Sequence, residues 1–151
     1  MAGIVATAEV SGDVYTTAAK TLIQLVAASD HRVRVKSIEA YFDGPDTDDN
    51  LVVQLVRQSD EGTSSALTPK KLDDSADETL QTAARHDITS EPTTGDVLWS
   101  ASVNPATGIS KTFPPGFEPM CGGGDRIGLR IDAGATVTGS PTASGTIVFE
   151  E

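Results

Sequence analysis

Between Arg32 and Phe42 the apolar positions alternate, Val33 and Val35 against Arg32, Arg34 and Lys36, which is the period of a strand with one wet face. From Ser37 onward the phase moves by one residue, to Ile38, Ala40 and Phe42, and such a shift predicts a β-bulge or bend. Lys20 to Ala28 is apolar on both sides in its middle, as a strand covered on two faces would be. In Leu51 to Gln58, Leu51, Val53 and Leu55 share one face while Val52 and Val56 share the other, so this stretch is expected to be a central strand. Further strands are expected at Ile4 to Val10, Leu67 to Leu72, Val97 to Val103, Ile109 to Phe113, Arg126 to Asp132, Ala135 to Gly139 and Thr146 to Glu150. In the Trp99 segment, Val97, Trp99, Ala101 and Val103 are expected on one face. Strands recurring behind turn signals, without alternating helices, predict an all-β chain folded as an antiparallel two-sheet sandwich, jelly-roll-like or a related Greek key.

One stretch departs from this pattern. Ser75 and Glu78 have the spacing of a capping box, Ala76, Leu80, Ala83 and Ala84 recur at helical spacing, and Arg85 and His86 stand where a helix favours positive charge. The spacing predicts a short helix near residues 76–86; a strand-like or irregular crossover is the competing reading. The domain expectation is a single β-sandwich over residues 20–151, preceded by residues 1–19 as an N-terminal arm or edge strand.

Composition strengthens the β assignment. The chain of 151 residues has 13 Val, 8 Ile and 18 Thr against 9 Leu and 2 Met. Side chains branched at Cβ lose rotamers on a helix and pack well on a pleated surface. The core expected from 34 Leu, Ile, Val and Phe is thin, so neighbouring subunits are expected to add stability. Charge narrows the partners: 22 acidic and 11 basic residues give a net charge of −11, which argues against nucleic acid and anionic membrane surfaces. The N-terminus lacks the basic start and apolar run of a secretory signal, and no stretch approaches a membrane span, so a soluble mature chain is expected.

Candidate chemistry is sparse. Asp46, Asp48 and Asn50, within the acidic loop Asp43 to Asn50, match the first positions of a calcium loop, but Leu51 and Arg57 then stand where glycine and glutamate are needed. A solvated turn explains those residues, with an irregular calcium site as the alternative. Gly122, Gly123 and Gly124 are followed by Asp125 and Arg126 instead of a phosphate-loop lysine, so a tight turn is expected. His31 and His86 lie beside Asp30 and Asp87, but in a strand such neighbours point to opposite faces, and both are expected to be ordinary surface histidines. The single cysteine, Cys121, has no partner for an intramolecular bridge and is expected to be a packed thiol. No nucleophile elbow, zinc motif or Cys–His pair occurs, so no catalytic residue, cofactor or metal site is assigned and the chain is expected not to be an enzyme. Trp99 is expected in the core, with a sugar-stacking platform as the alternative. Pro115 and Gly116 suit the centre of a type II turn, and the flanking Phe113 and Phe117 either close the end of the sandwich or dock on a partner. The expected partner surface comprises Phe113, Pro114, Pro115 and Phe117, together with Arg126 beyond the glycine run.

The segments K-T-L-I-Q-L-V-A-A, R-V-R-V-K-S-I-E-A-Y-F-D-G, L-V-V-Q-L-V-R-Q-S-D-E-G-T, F-P-P-G-F and G-G-G-D-R-I-G-L-R-I, with the terminal I-V-F-E-E, resemble small single-domain β proteins among the structural proteins of tailed bacteriophages. The resemblance covers residues 20–151 and points to their head decoration, or cement, proteins. It implies a jelly-roll or other β-sandwich, often trimeric, that binds the outer surface of the assembled capsid and bridges subunits of the major capsid protein shell. The chain would be made in the bacterial cytoplasm and reside on the virion. The family carries no catalytic residue to transfer. A carbohydrate-binding or adhesin-like module using Trp99, and a tail or baseplate component of the same fold, are the alternatives.

Overall fold

The computed structural model describes residues 3–44, 49–75, 77–132 and 137–151. Among them the strands are β1 (Val5–Val14), β2 (Lys20–Val26), β3 (Arg32–Asp43), β4 (Leu51–Gln58), β5 (Thr63–Leu67), β6 (Lys70–Lys71), β7 (Ala83–Ser90), β8 (Thr94–Val103), β9 (Ile109–Thr112), β10 (Met120–Gly122), β11 (Arg126–Asp132) and β12 (Thr142–Glu150). They form two antiparallel sheets. One runs β6–β1–β12–β3, with β9 and β10 both on the far edge of β3, and the other runs β5–β7–β2–β11–β4–β8.

The pairing is nested. β1 lies against β12, β2 against β11, β3 against β9 and β10, and β4 against β8. The chain is therefore an antiparallel double ribbon that changes sheets as it wraps, the jelly-roll arrangement, with β5 to β7 inserted between β4 and β8. Alternation makes the core: Val33, Val35, Ile38, Ala40, Ile147 and Phe149 from the first sheet meet Leu25, Leu55, Ile127, Leu129 and Ile131 from the second. Each Val, Leu, Ile or Phe side chain among them, fully buried, contributes about 1.5–3 kcal/mol.

The phase shift near Ser37 is a bulge. Phe149 pairs with Val35 and Val148 with Ser37, so Lys36 is the extra residue on β3. β4 is central, between β11 and β8. The N-terminal segment forms β1, which pairs with β12 from Val5 to Val14 and buries Ala6, Ala8 and Val10. Between Leu67 and Leu72 the chain splits into the end of β5 and the short β6.

The helix expected near residues 76–86 does not form: residues 77–82 have no regular structure, and Ala83–Ser90 is a strand paired with both β2 and β5. Helical spacing of small residues is a weak preference, and an isolated helix of that length is marginal. Two sheet neighbours and the bonding of the capping groups outweigh it. The Ser75 hydroxyl donates to Asp73 Oδ1 at 2.5 Å, and the N–H groups of Gln81 and Thr82 donate to the Glu151 carboxylate at 2.8 and 2.7 Å. Of the strand expected at Ala135 to Gly139, Ala135 and Thr136 lie outside the described residues, and residues 137–139 belong to no strand.

Candidate partner-docking site

An edge strand with open N–H and C=O groups invites unwanted pairing unless it is interrupted or covered. The free edge of β3 is lined by β9 and β10, and between them residues 113–119 leave the sheet and return. Both feet of this loop are fixed at the bulge. Phe113 N–H donates to Lys36 O at 2.8 Å, and Val35 N–H donates to Pro119 O at 2.9 Å.

The tip is a β-turn. Phe117 N–H donates to Pro114 O at 3.0 Å, and Gly116 has φ 87°, the left-handed value that the third position of a type II turn requires. Glu118 holds the turn from behind, accepting the Gly116 N–H on Oε2 at 2.6 Å and the Lys36 ammonium on Oε1 at 3.1 Å. Lys36 also reaches Glu150 Oε2 at 2.5 Å. The bulge has thus placed one ammonium between two carboxylates. Its own backbone N–H, and then Lys36, hold the Glu118 carboxyl below its ordinary range; Lys36 does the same to Glu150, and Glu150 first and Glu118 second hold Lys36 above its own.

The two aromatics on the turn's shoulders part company. Phe113 is 8% exposed and meets Trp99 edge-on at 6.2 Å, with Lys111 Nζ 5.8 Å from its ring centre, so it closes the sandwich. Phe117 is 80% exposed. Pro114 and Pro115 are exposed beside it, and Met120, 43% exposed, begins β10 three residues on. Arg126 is not brought to this loop. It lies on β11 in the other sheet, 3.5 Å from Glu61 Oε1, which also belongs to the carboxylate that Arg85 engages.

Trp99 packs against the core as a partly buried residue, but Val97 does not share its face. Leu55 pairs with Trp99 and its neighbour Val56 with Val97, so a bulge at Leu98 turns Val97 outward. The histidines also differ from expectation: His31 Nδ1 lies 2.8 Å from Asp30 Oδ1, and His86 Nδ1 lies 3.2 Å from Asp87 Oδ2. Strand geometry would separate these neighbours. Asp30 sits in a turn and Asp87 has φ 49°, which bring the side chains together.

Among the described residues no group of three or more His, Cys, Asp or Glu is arranged to hold a metal ion. Residues 45–48 of the candidate calcium loop lie outside the described residues. Gly123 and Gly124 take positive φ in the turn before β11, where Asp125 N–H donates to Gly122 O. Lys36, Glu118 and Glu150 are the participants that pattern reading missed; the phase shift at Ser37 was their one trace in the sequence. In comparisons with known proteins, no family model, no curated protein and no solved structure matches this chain.

Proposed function

We propose that this chain is a head decoration, or cement, protein of a tailed bacteriophage, docking in many copies on the outer surface of the capsid shell. The partner class is taken from the sequence resemblance. The docking element is taken from one observation: Phe117, four-fifths exposed, on a loop fixed at both feet and braced by Glu118. A large apolar side chain held in one place in solvent has already lost most of the freedom that binding would remove. Burying it in a partner's pocket contributes about 1.5–3 kcal/mol per copy. Summed over many copies, and over contacts between symmetry mates, that modest gain raises the energy needed to rupture a shell. The role is non-catalytic, and the self-contacts make the chain a homo-oligomer on the particle, a trimer in the arrangement the resemblance implies.

The test compares shells saturated with the wild-type chain and with Phe117→Ala. The variant is expected to bind at least about tenfold more weakly, the loss typical of truncating a buried aromatic anchor. At equal concentration it should also fail to raise the temperature of shell rupture. Equal binding by Phe117→Ala would remove the docking element. Full occupancy by the wild-type chain with no change in rupture temperature would remove the cement role, and a handful of copies per particle would favour a tail or baseplate component.

A further inference from the structure

Short strands, charges and irregularities keep the open edge of a sheet from pairing with another chain. Most open edges of this sandwich carry such devices. β6 has two residues, β10 three, and β9 four with Lys111 among them. β5 has five, and its register with β7 slips between Thr63 and Ser65. The part of β1 beyond β6 carries Glu9, Asp13 and a bulge between Val10 and Asp13. β8 departs from this pattern. It is ten residues long and bordered only by β4; its irregular pairing ends at Leu98, and from Trp99 to Val103 its register with Leu55 to Leu51 is unbroken. Among the described residues no loop or side chain hydrogen-bonds to the backbone of residues 96–103.

The same edge is uncharged. Val97 to Val103 reads V-L-W-S-A-S-V, without Lys, Arg, Asp, Glu or Pro, in a chain of which 22% is charged and whose net charge is −11. Copies of so acidic a chain repel wherever carboxylates meet, and this strip brings none together. It also complements itself. Trp99, Ala101 and Val103 face inward opposite Leu55, Val53 and Leu51, with Trp99 and Ala101 only partly buried, and Ser100 and Ser102 are exposed on the outer face. A second β8, turned about a two-fold axis through Ala101 perpendicular to the sheet, runs antiparallel to the first and uses the whole regular segment. Trp99 then stands beside Val103 of the second copy, a favourable aromatic and β-branched pair, and Ser100 stands beside Ser102 of the second copy. Each pair occurs twice.

We propose that β8 pairs antiparallel with β8 of a second copy, in register about Ala101, joining two six-stranded sheets into one. Backbone hydrogen bonds supply the affinity, and the inner apolar pairs cover the seam where Trp99 meets Phe113. Because both copies use the same surface, the contact closes at two: the oligomer it makes is a dimer, and not the trimer that the resemblance implies.

The pairing belongs to the chain alone and does not rest on the docking reading, so it is tested without shells. Sedimentation equilibrium of the wild-type chain should show a reversible monomer–dimer equilibrium, and hydrogen exchange should show amides within residues 99–103 gaining protection as concentration rises. Ser100→Lys combined with Ser102→Lys sets like charges opposite each other at both outer pairs and should weaken dimerisation at least about tenfold. Ser100→Lys combined with Ser102→Glu sets opposite charges there and should restore it. Both serines are exposed, so at dilutions where the wild-type chain is monomeric each variant should melt as it does. Ser65→Lys, at an exposed position of β5, should dimerise as wild type does. A wild-type chain that stays monomeric with exchange independent of concentration, wild-type dimerisation by the two-lysine variant, or a trimer would overturn the proposal. So would loss of the dimer in Ser65→Lys, which would move the contact to β5, or failure of Ser102→Glu to recover the loss, which would exclude the register about Ala101. A monomer that saturates shells would sink the pairing and leave the docking reading standing; a dimer that never binds them would do the reverse.

Discussion

Gly128 reads in the sequence as one more member of an alternating strand, and its reason lies in side chains distant along the chain. Gln24 Nε2 donates to Gln58 Oε1 and to Asp60 O, both at 2.8 Å; Gln58 Nε2 donates to Thr21 Oγ1 at 2.8 Å; and Thr21 Oγ1 donates to Glu91 Oε2 at 2.7 Å. Thr21, Gln24 and Gln58 are buried, and Gly128 sits between Gln24 and Val56 in register. A Cβ at Gly128 would come within 2.4 Å of Gln58 Oε1. The amide of Gln58 could swing away only by breaking two hydrogen bonds in a buried site. Gly128→Ala is therefore expected to destabilise the fold by about 1–3 kcal/mol, the range for overpacking or for orphaning a buried polar group. In a Gln58→Ala background the same change should cost less, a coupling that urea denaturation of the four variants measures. Additive costs would mean that Gly128 is not there to admit Gln58. A pattern of apolar and polar letters contains no term for this, since glutamine scores as a surface residue until its partners are known. Phe113 and Phe117 make the same point: they flank one turn, and only the arrival of Trp99 from β8 decides which of them is covered.

β2, β3, β4 and β11 were legible because one or both of their faces are buried, and even the bulge in β3 was, because a change of phase is a one-dimensional signal. Residues 76–86 were not, because what decided them, pairing with β2 and β5 and the reach of Glu151, comes from elsewhere in the chain. The brace behind the 113–119 loop is likewise an interaction between elements, joining the β3 bulge, the loop and β12 through Lys36. Its pH dependence follows from the directions of its shifts. Glu118 and Glu150 are held below an ordinary value of 4.5, so their contribution is present above that pH and is lost as pH falls through their depressed folded values. Lys36 is held above 10.5, so its contribution is present below that pH and is lost only as pH rises through its raised folded value. The loop should therefore be fully braced between about pH 4.5 and 10.5. Backbone order parameters of Gly116 and Phe117 are expected to match those of β9 at pH 6 and to fall well below them in acid, once both carboxylates are protonated. Lys36→Met should loosen the same two residues at pH 6. Order that persists in both cases would show that the type II turn needs no support from Glu118.

For the molecule as a whole, what the sequence concealed was the order of strands, because nested pairing joins segments that share no local signal: Val5 lies against Glu150, and Val26 against Arg126. That nesting gives the N-terminal segment more weight than its apolar content suggests. β1 offers the core only Ala6, Ala8 and Val10, yet it supplies the partner along the whole length of β12, whose Ile147 and Phe149 are fully buried at the centre of the first sheet. Among the described residues only the two-residue β6 stands beyond it, so no longer strand lies ready as a replacement. An appendage that reached only to a neighbour could be removed without consequence for the isolated chain. Deleting residues 1–14 should instead expose the backbone of β12 and open one end of the core. The loss should be comparable to the whole net stability of a domain, about 5–15 kcal/mol. The truncated chain is expected to lose its cooperative thermal transition and to aggregate through the uncovered edge. Adding back a synthetic peptide of residues 1–14 should restore the transition with a midpoint that rises with peptide concentration, as linkage requires of a ligand that binds only the folded state. A truncated chain that melts cooperatively within a few degrees of the full-length chain would show that β1 is an accessory of this sandwich and not one of its walls.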